Sequence, residues 1–230
     1  MKSAPAFDLV FDAAPWRPSG TVVAALLNDP AQLAALGDAA HAAPYKAPPR
    51  APVLGVKPRN TWCGDGAAVE VPADPGVVQL APTLAIVIGR TACRVSAADG
   101  LAFVAGYTIA QDLALPHASH YRPAVRQRVR DGFCPIGPRV VPAAQVAAPN
   151  ALAVELRVDG VVVQRGSTAG RVRGVAALVA DVSAFMTLQP GDLLLLGPAA
   201  GAPQARAGQV ASVSIEGLGT LTTRFVAEAP

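Results

Sequence analysis

The run ALAVELRVDGVVVQRG, residues 151–166, constrains this chain more than any other stretch. Alternating apolar and polar residues flank Asp159-Gly160, and such a dipeptide between two alternating runs is the strongest short-range signal for a hairpin. A second hairpin is expected in GQVASVSIEGLGTLTTRFV, turning at Glu216-Gly217 with Val210, Ser212, Ser214 and Glu216 alternating along its first arm. Side chains on a strand point to opposite faces in turn, so each hairpin offers one face to a core and needs something to cover it.

The rest of the chain supplies further strands and few helices. TVVAALLN, residues 21–28, reads as a buried strand stopped by Asn28 and Asp29-Pro30. Residues 31–43 have helical composition, with Leu33, Leu36, Ala40 and His41 at helical spacing, before PYKAPPRAP forbids regular structure. VLGVKP is a short strand and NTWCGDG a turn. Strands are expected at 77–80, 84–89 and 106–110, and Ser96 with Asp99 resembles a capping box opening a short helix over 97–104. Residues 112–132 read as a polar, proline-interrupted loop, a length that in a compact domain points to function. GVAALVADVSAFMTL is an amphipathic helix with Val175, Leu178, Val179, Val182 and Met186 on its apolar face, and QPGDLLLLG is a turn followed by a buried strand. The sum is an α+β fold: a mixed β-sheet roll or partly split barrel with few short helices. Residues 1–18 form an N-terminal arm and 19–230 one domain.

Composition narrows the function. At 230 residues with 52% hydrophobic but only 5% aromatic, the core is built from small aliphatics. The net charge of +3 is concentrated in RPAVRQRVR, residues 122–130. Only Tyr121 offers a stacking ring beside those arginines, which argues against a nucleic-acid partner and for an anionic small molecule. Three cysteines without CxxC spacing argue against a disulfide framework and a cysteine zinc site, so a reduced, cytoplasmic protein is expected. There is no signal-peptide pattern before Asp8, and no apolar run approaches the ~18 residues a membrane span needs.

VLGVKPRNTWCGDG, LAIVIGRTA, VAGYTIAQDLA, RDGFCPIGP, LRVDGVVVQRGST and VSAFMTLQPGDLLLLG occur in that order. Together they resemble the fumarylacetoacetate hydrolase superfamily over roughly residues 20–226. LPHASHYRPAVRQRVRDGFCPIGP is similar to the N-terminal half, or separate subunit, of the branch serving 4-hydroxyphenylacetate (homoprotocatechuate) catabolism. That resemblance implies a 5-oxopent-3-ene-1,2,5-tricarboxylate decarboxylase and 2-hydroxyhepta-2,4-diene-1,7-dioate isomerase. Such a subunit would be a homodimer or a hetero-oligomer with a homologous subunit. The alternatives are a non-catalytic copy stabilising a metal-bearing subunit, and an acylpyruvate-type hydrolase.

The family implies Mg2+ or Mn2+, held by a Glu-x-Glu pair before the LxxVIG strand and an Asp after GYT. Asp112 matches the Asp; the pair falls on Ala81 and Thr83. The family's lid helix carries a His-x-x-Glu, near which lies His41, offset by about two residues, with Ala42 or Ala43 at the Glu. Arg128 falls where the family has a lysine facing substrate, and Lys57 matches a position near the active site. Gln164 and Thr168 match the hairpin bordering the pocket, Tyr107 lies in the GYT strand, and Pro198 and Ala199 replace a threonine-containing turn. Read from the residues alone, Asp112 is either a metal ligand or a loop carboxylate paired with Arg122 or Arg128. His117 and His120, three apart, are candidates for a transition metal or for a substrate carboxylate, and Tyr121 and Arg122 for that carboxylate too.

Overall fold

β-Branched and small aliphatic runs separated by Gly, Pro and Asp form short strands throughout the chain, as their packing preference dictates. A computed structural model describes residues 10–11, 18, 20–117 and 119–229; the arm expected over residues 1–18 lies almost wholly outside them. The strands are β1 (Val10–Phe11), β2 (Val22–Leu26), β3 (Val53–Lys57), β4 (Trp62–Cys63), β5 (Ala68–Val71), β6 (Val78–Gln79), β7 (Pro82–Ile88), β8 (Val104–Gln111), β9 (Cys134–Pro142), β10 (Ala153–Val158), β11 (Val161–Ser167), β12 (Leu193–Leu195), β13 (Gln204–Ala205), β14 (Val210–Ile215) and β15 (Gly219–Ala227). The helices are α1 (Pro30–Ala34), α2 (Val125–Arg128) and α3 (Val175–Ser183).

One sheet has eight strands in the order β1-β9-β8-β7-β12-β2-β3, with β4 also on β9; another has five, β11-β10-β14-β15-β5. β7 is buried at all seven positions, so it reads as an unbroken apolar run rather than an alternating one. Leu84, Ile86 and Ile88 face the main core, while Ala85 and Val87 face a smaller cluster with Val22, Ala24, Leu193 and Leu195. β14 alternates, burying Ala211, Val213 and Ile215. Both hairpins form where the sequence places them. Asp159 and Gly160 have φ of 49° and 80°, the doubly left-handed geometry of a turn that matches strand twist. On α3, Val175, Leu178, Val179 and Val182 are buried and Met186 packs against the core.

Two helices are shorter than their composition suggests. The helix expected over 31–43 is α1, capped by Asp29 Oδ1 accepting from Ala31 N at 2.9 Å, followed by a 3-10 turn at Gly37–Ala40. Gly37 adopts φ 49° and breaks the α geometry. The Ser96–Asp99 pair forms, with Ser96 Oγ donating to Asp99 Oδ2 at 2.7 Å, but only the 3-10 turn Gly100–Phe103 follows. That turn is pressed onto α3: a Cβ at Gly100 would lie 2.5 Å from Ala176 O. Among the described residues no helix is long and apolar enough to cross a membrane.

Candidate active site

Lys57 ends β3 pointing inward, and its side chain is 1% exposed. Its ammonium donates to the carbonyls of Leu113, Arg128 and Phe133 at 2.8, 2.9 and 3.0 Å. It also lies 2.8 Å from Asp112 Oδ1. An ammonium has three hydrogens, and three carbonyls take them. The contact with Oδ1 is therefore charge attraction, and Oδ1 receives no separate hydrogen bond from any described group. Asp112 Oδ2 accepts from Arg128 Nη2. Burial works to raise the Asp112 carboxyl, but the charges of Lys57 and then Arg128 outweigh it and hold it below the usual carboxylate range. Asp112 is thus the shared counter-ion of two cations, Arg128 being the partner it takes.

The neighbouring positions are held by the backbone. Asp112 N donates to Ala81 O at 2.9 Å, tying the end of β8 to the residue before β7. Thr83 Oγ1 accepts from Gly197 N at 2.9 Å and donates to Leu84 O at 3.2 Å. Gly197 itself has φ 96°, and a Cβ there would meet Ala25 O at 2.7 Å. A hard divalent ion needs several free oxygen ligands. Here the single carboxylate is neutralised by two cations, Ala81 offers none, and the Thr83 hydroxyl is engaged. No group of three or more His, Cys, Asp or Glu able to hold a metal gathers among the described residues. This corner does not fit Mg2+ or Mn2+, and His117 and His120 do not assemble a transition-metal site with Asp112.

The 112–132 loop, regular only at α2, instead walls an open cavity of about 540 Å³ lined by Pro44, His117, Ser119, Tyr121, Arg122, Pro123, Ala124 and Gln127. His117 Nδ1 lies 2.9 Å from Leu115 O; a carbonyl only accepts, so Nδ1 carries the proton. The His120 ring stands edge-on to it, centroids 5.7 Å apart. Burial first, then the His117 and Arg128 charges, push the His120 pKa down, so it is neutral at pH 7. Arg122 is exposed and pairs with no described acid. Tyr45, which sequence reasoning passed over, closes the rim. Its hydroxyl accepts from His120 N at 2.7 Å, and its ring stands edge-on to Tyr121 at 5.9 Å.

Gln164 and Thr168 lie apart from this cavity, on a narrow cleft of about 10 Å³ that Thr83 and Arg171 also line. Thr168 Oγ1 accepts from Leu152 N and donates to Pro149 O, both at 2.8 Å. Tyr107 is buried in the main core, where burial lifts its pKa to about 12. His41 follows the 3-10 turn at Gly37–Ala40 and is exposed. Lys57, Asp112 and Arg128 are thus brought together, as are His117, His120, Tyr121 and Arg122; Tyr107 and His41 join neither group. Arg171 was missed; the signal was its place three residues after Thr168 in STAGRVRG.

The family description "Fumarylacetoacetate (FAA) hydrolase C-terminal" matches residues 21–226. The chain is 40% identical over 187 residues to the 4-hydroxyphenylacetate degradation bifunctional isomerase/decarboxylase of Escherichia coli, covering 81% of this chain and 42% of that protein. The chain spans about half the length of the curated relatives first matched. Among solved structures, 5-carboxymethyl-2-hydroxymuconate delta-isomerase of Mycobacterium smegmatis superposes with TM-score 0.76 at 33% identity, covering 90% of this chain and 77% of that one. Fumarylpyruvate hydrolase of Pseudomonas aeruginosa, solved with Mn2+ and pyruvate, superposes with TM-score 0.79 at 26% identity over 99% and 98% of the two chains.

Proposed function

The chain belongs to the fumarylacetoacetate hydrolase family, and from that membership we propose that it serves the decarboxylation and isomerisation of a ring-cleavage oxo-acid as partner of a homologous, metal-bearing domain. The substrate is 5-oxopent-3-ene-1,2,5-tricarboxylate and its decarboxylated hydroxy-dienedioate, in 4-hydroxyphenylacetate catabolism. The observation that carries the division of labour is the Asp112 corner, where Lys57 and Arg128 stand against the carboxylate. The similar fumarylpyruvate hydrolase was solved with Mn2+ and pyruvate, and no step is assigned to a metal in this chain. The basic cavity has the chemistry to hold the substrate's carboxylates: the Arg122 guanidinium binds one through two parallel hydrogen bonds, and Gln127 and Ser119 add neutral donors.

The test follows loss of the oxo-tricarboxylate's absorbance with the chain alone, with magnesium, with excess chelator, and with the homologous domain added. Turnover is expected only with the partner, and Arg122→Ala in the assembled pair raises KM by roughly tenfold or more, the loss of a charged hydrogen bond. Magnesium-dependent turnover by the chain alone would overturn the proposal. The Asp112 corner also favours a second reading, a non-catalytic copy that completes an interface. On that reading Arg122→Ala leaves the pair's KM unchanged.

A further inference from the structure

The cleft beside β7 and β11 has a polar side-chain inventory that closes except at two atoms. Five polar side chains line it: Thr83, Gln164, Ser167, Thr168 and Arg171. The hydroxyls of Thr83 and Thr168 each donate one hydrogen bond and accept another. Ser167 Oγ donates to Leu152 O and accepts from Ala169 N. The Gln164 amide is fixed by two carbonyls: Nε2 donates to Ala200 O at 2.9 Å and Gly201 O at 3.3 Å, which leaves Oε1 turned away from them. Arg171, 4% exposed, gives Nη1 to Asp29 Oδ2 at 2.5 Å and Pro198 O at 3.1 Å, and Nη2 to Ser167 O at 2.8 Å. Two buried atoms are then without a partner among the described residues: Arg171 Nε, a donor, and Gln164 Oε1, an acceptor.

That remainder selects its ligand. A buried donor and a buried acceptor left unpaired each cost on the order of 1–3 kcal/mol, and the free volume of about 10 Å³ takes one oxygen of water size. A carboxylate oxygen can accept from Nε but is repelled by Oε1, and Asp29 already cancels the Arg171 charge that would attract it. A carbonyl satisfies the donor alone. A hydroxyl accepts from one and donates to the other.

We infer that this cleft is a hole for one neutral hydroxyl-type oxygen, filled by water at rest and by the hydroxyl of an enol or 2-hydroxy acid when ligand is bound. The ligand half rests on the function proposed above; the water half does not. Arg171 and Gln164 are in this role specificity residues, separate from the Arg122 cavity.

Two measurements on the full chain test it. A high-resolution crystal structure is expected to show an ordered oxygen within hydrogen-bond distance of both Arg171 Nε and Gln164 Oε1; a cleft without one overturns the inference. Calorimetric titration then uses 2-hydroxyadipate, 2-oxoadipate and adipate. The hydroxy acid is expected to bind at least about tenfold tighter than either other probe. Gln164→Met, which leaves the Arg171–Asp29 pair in place, abolishes that preference. Equal binding of the three probes to the wild type overturns the ligand half while leaving the oxo-acid reading standing. If none binds, the oxo-acid reading fails and takes the ligand half with it.

Discussion

The Asp112 corner and the Arg171 cleft both bury an arginine–aspartate pair, and they end in opposite states. At Asp112 a second cation, Lys57, joins the pair and brings three carbonyls with it, so the ammonium has no hydrogen to offer. At Arg171 the charge is balanced by Asp29, and Arg171 Nε and Gln164 Oε1, on two residues that line the same cleft, have no partner among the described residues. A buried ammonium with all three hydrogens engaged is architecture. A buried ion pair with a donor and an acceptor left over in its cleft is equipped for recognition. Charge does not distinguish the two; the count of hydrogens does.

The comparison breaks first at Lys57. Lys57→Met leaves the Asp112 carboxylate with one cation and strips three carbonyls of their donor, so a loss of about 3–5 kcal/mol is expected in urea denaturation. Adding Asp112→Asn to that variant should recover part of the loss, because the uncompensated charge goes. A corner that tolerates Lys57→Met without loss is not structural.

Acid should come next. The Asp112 carboxyl is held below the free-chain value of 3.8, so the folded state favours the ionised form. Its contribution is complete above that value and disappears as pH falls from 3.8 through the lower folded pKa. Urea midpoints of wild type and Asp112→Asn, followed from pH 6 to 2.5, should converge on the acid side only. A gap independent of pH would separate Asp112 from its cations.

The cleft should yield less. Arg171→Met strands Asp29, but Asp29 is 17% exposed and keeps its cap on Ala31 N, so roughly 1–3 kcal/mol is expected in the same assay. The smallest effect belongs to the surface. Glu155 bridges Arg157 and Arg165 in the open, and Glu155→Gln should leave the denaturation midpoint where it was.

Both hairpins, the apolar face of α3 and the buried strand at β12 were legible because each rests on a local pattern: alternation about Asp159-Gly160, helical spacing from Val175, a run of four leucines after Gly191-Asp192. The helices that came out short were cut by context, Gly37 by its own backbone and Gly100 by the packing of α3. Asp112 stood out in the sequence, and Arg128 was among the partners considered for it. Lys57 as its other counter-ion did not stand out, because the two lie 55 positions apart and meet only through β3 and the end of β8. Arg171 and Asp29 are separated by 142 residues, beyond any pattern in a single sequence.

The same long reach governs how the chain is made. β2 lies between β3 and β12, paired antiparallel to the first and parallel to the second. Thr21 N beside it donates to Asp192 Oδ1 across 171 residues. At about 5–20 residues per second, a ribosome takes on the order of 10–30 s to supply that partner. For that interval the first long strand carries one unsatisfied edge of valine and alanine through the exit of the ribosome. Slow translation between β3 and β12 would lengthen that exposure, and a chain stopped before Leu193 would never end it.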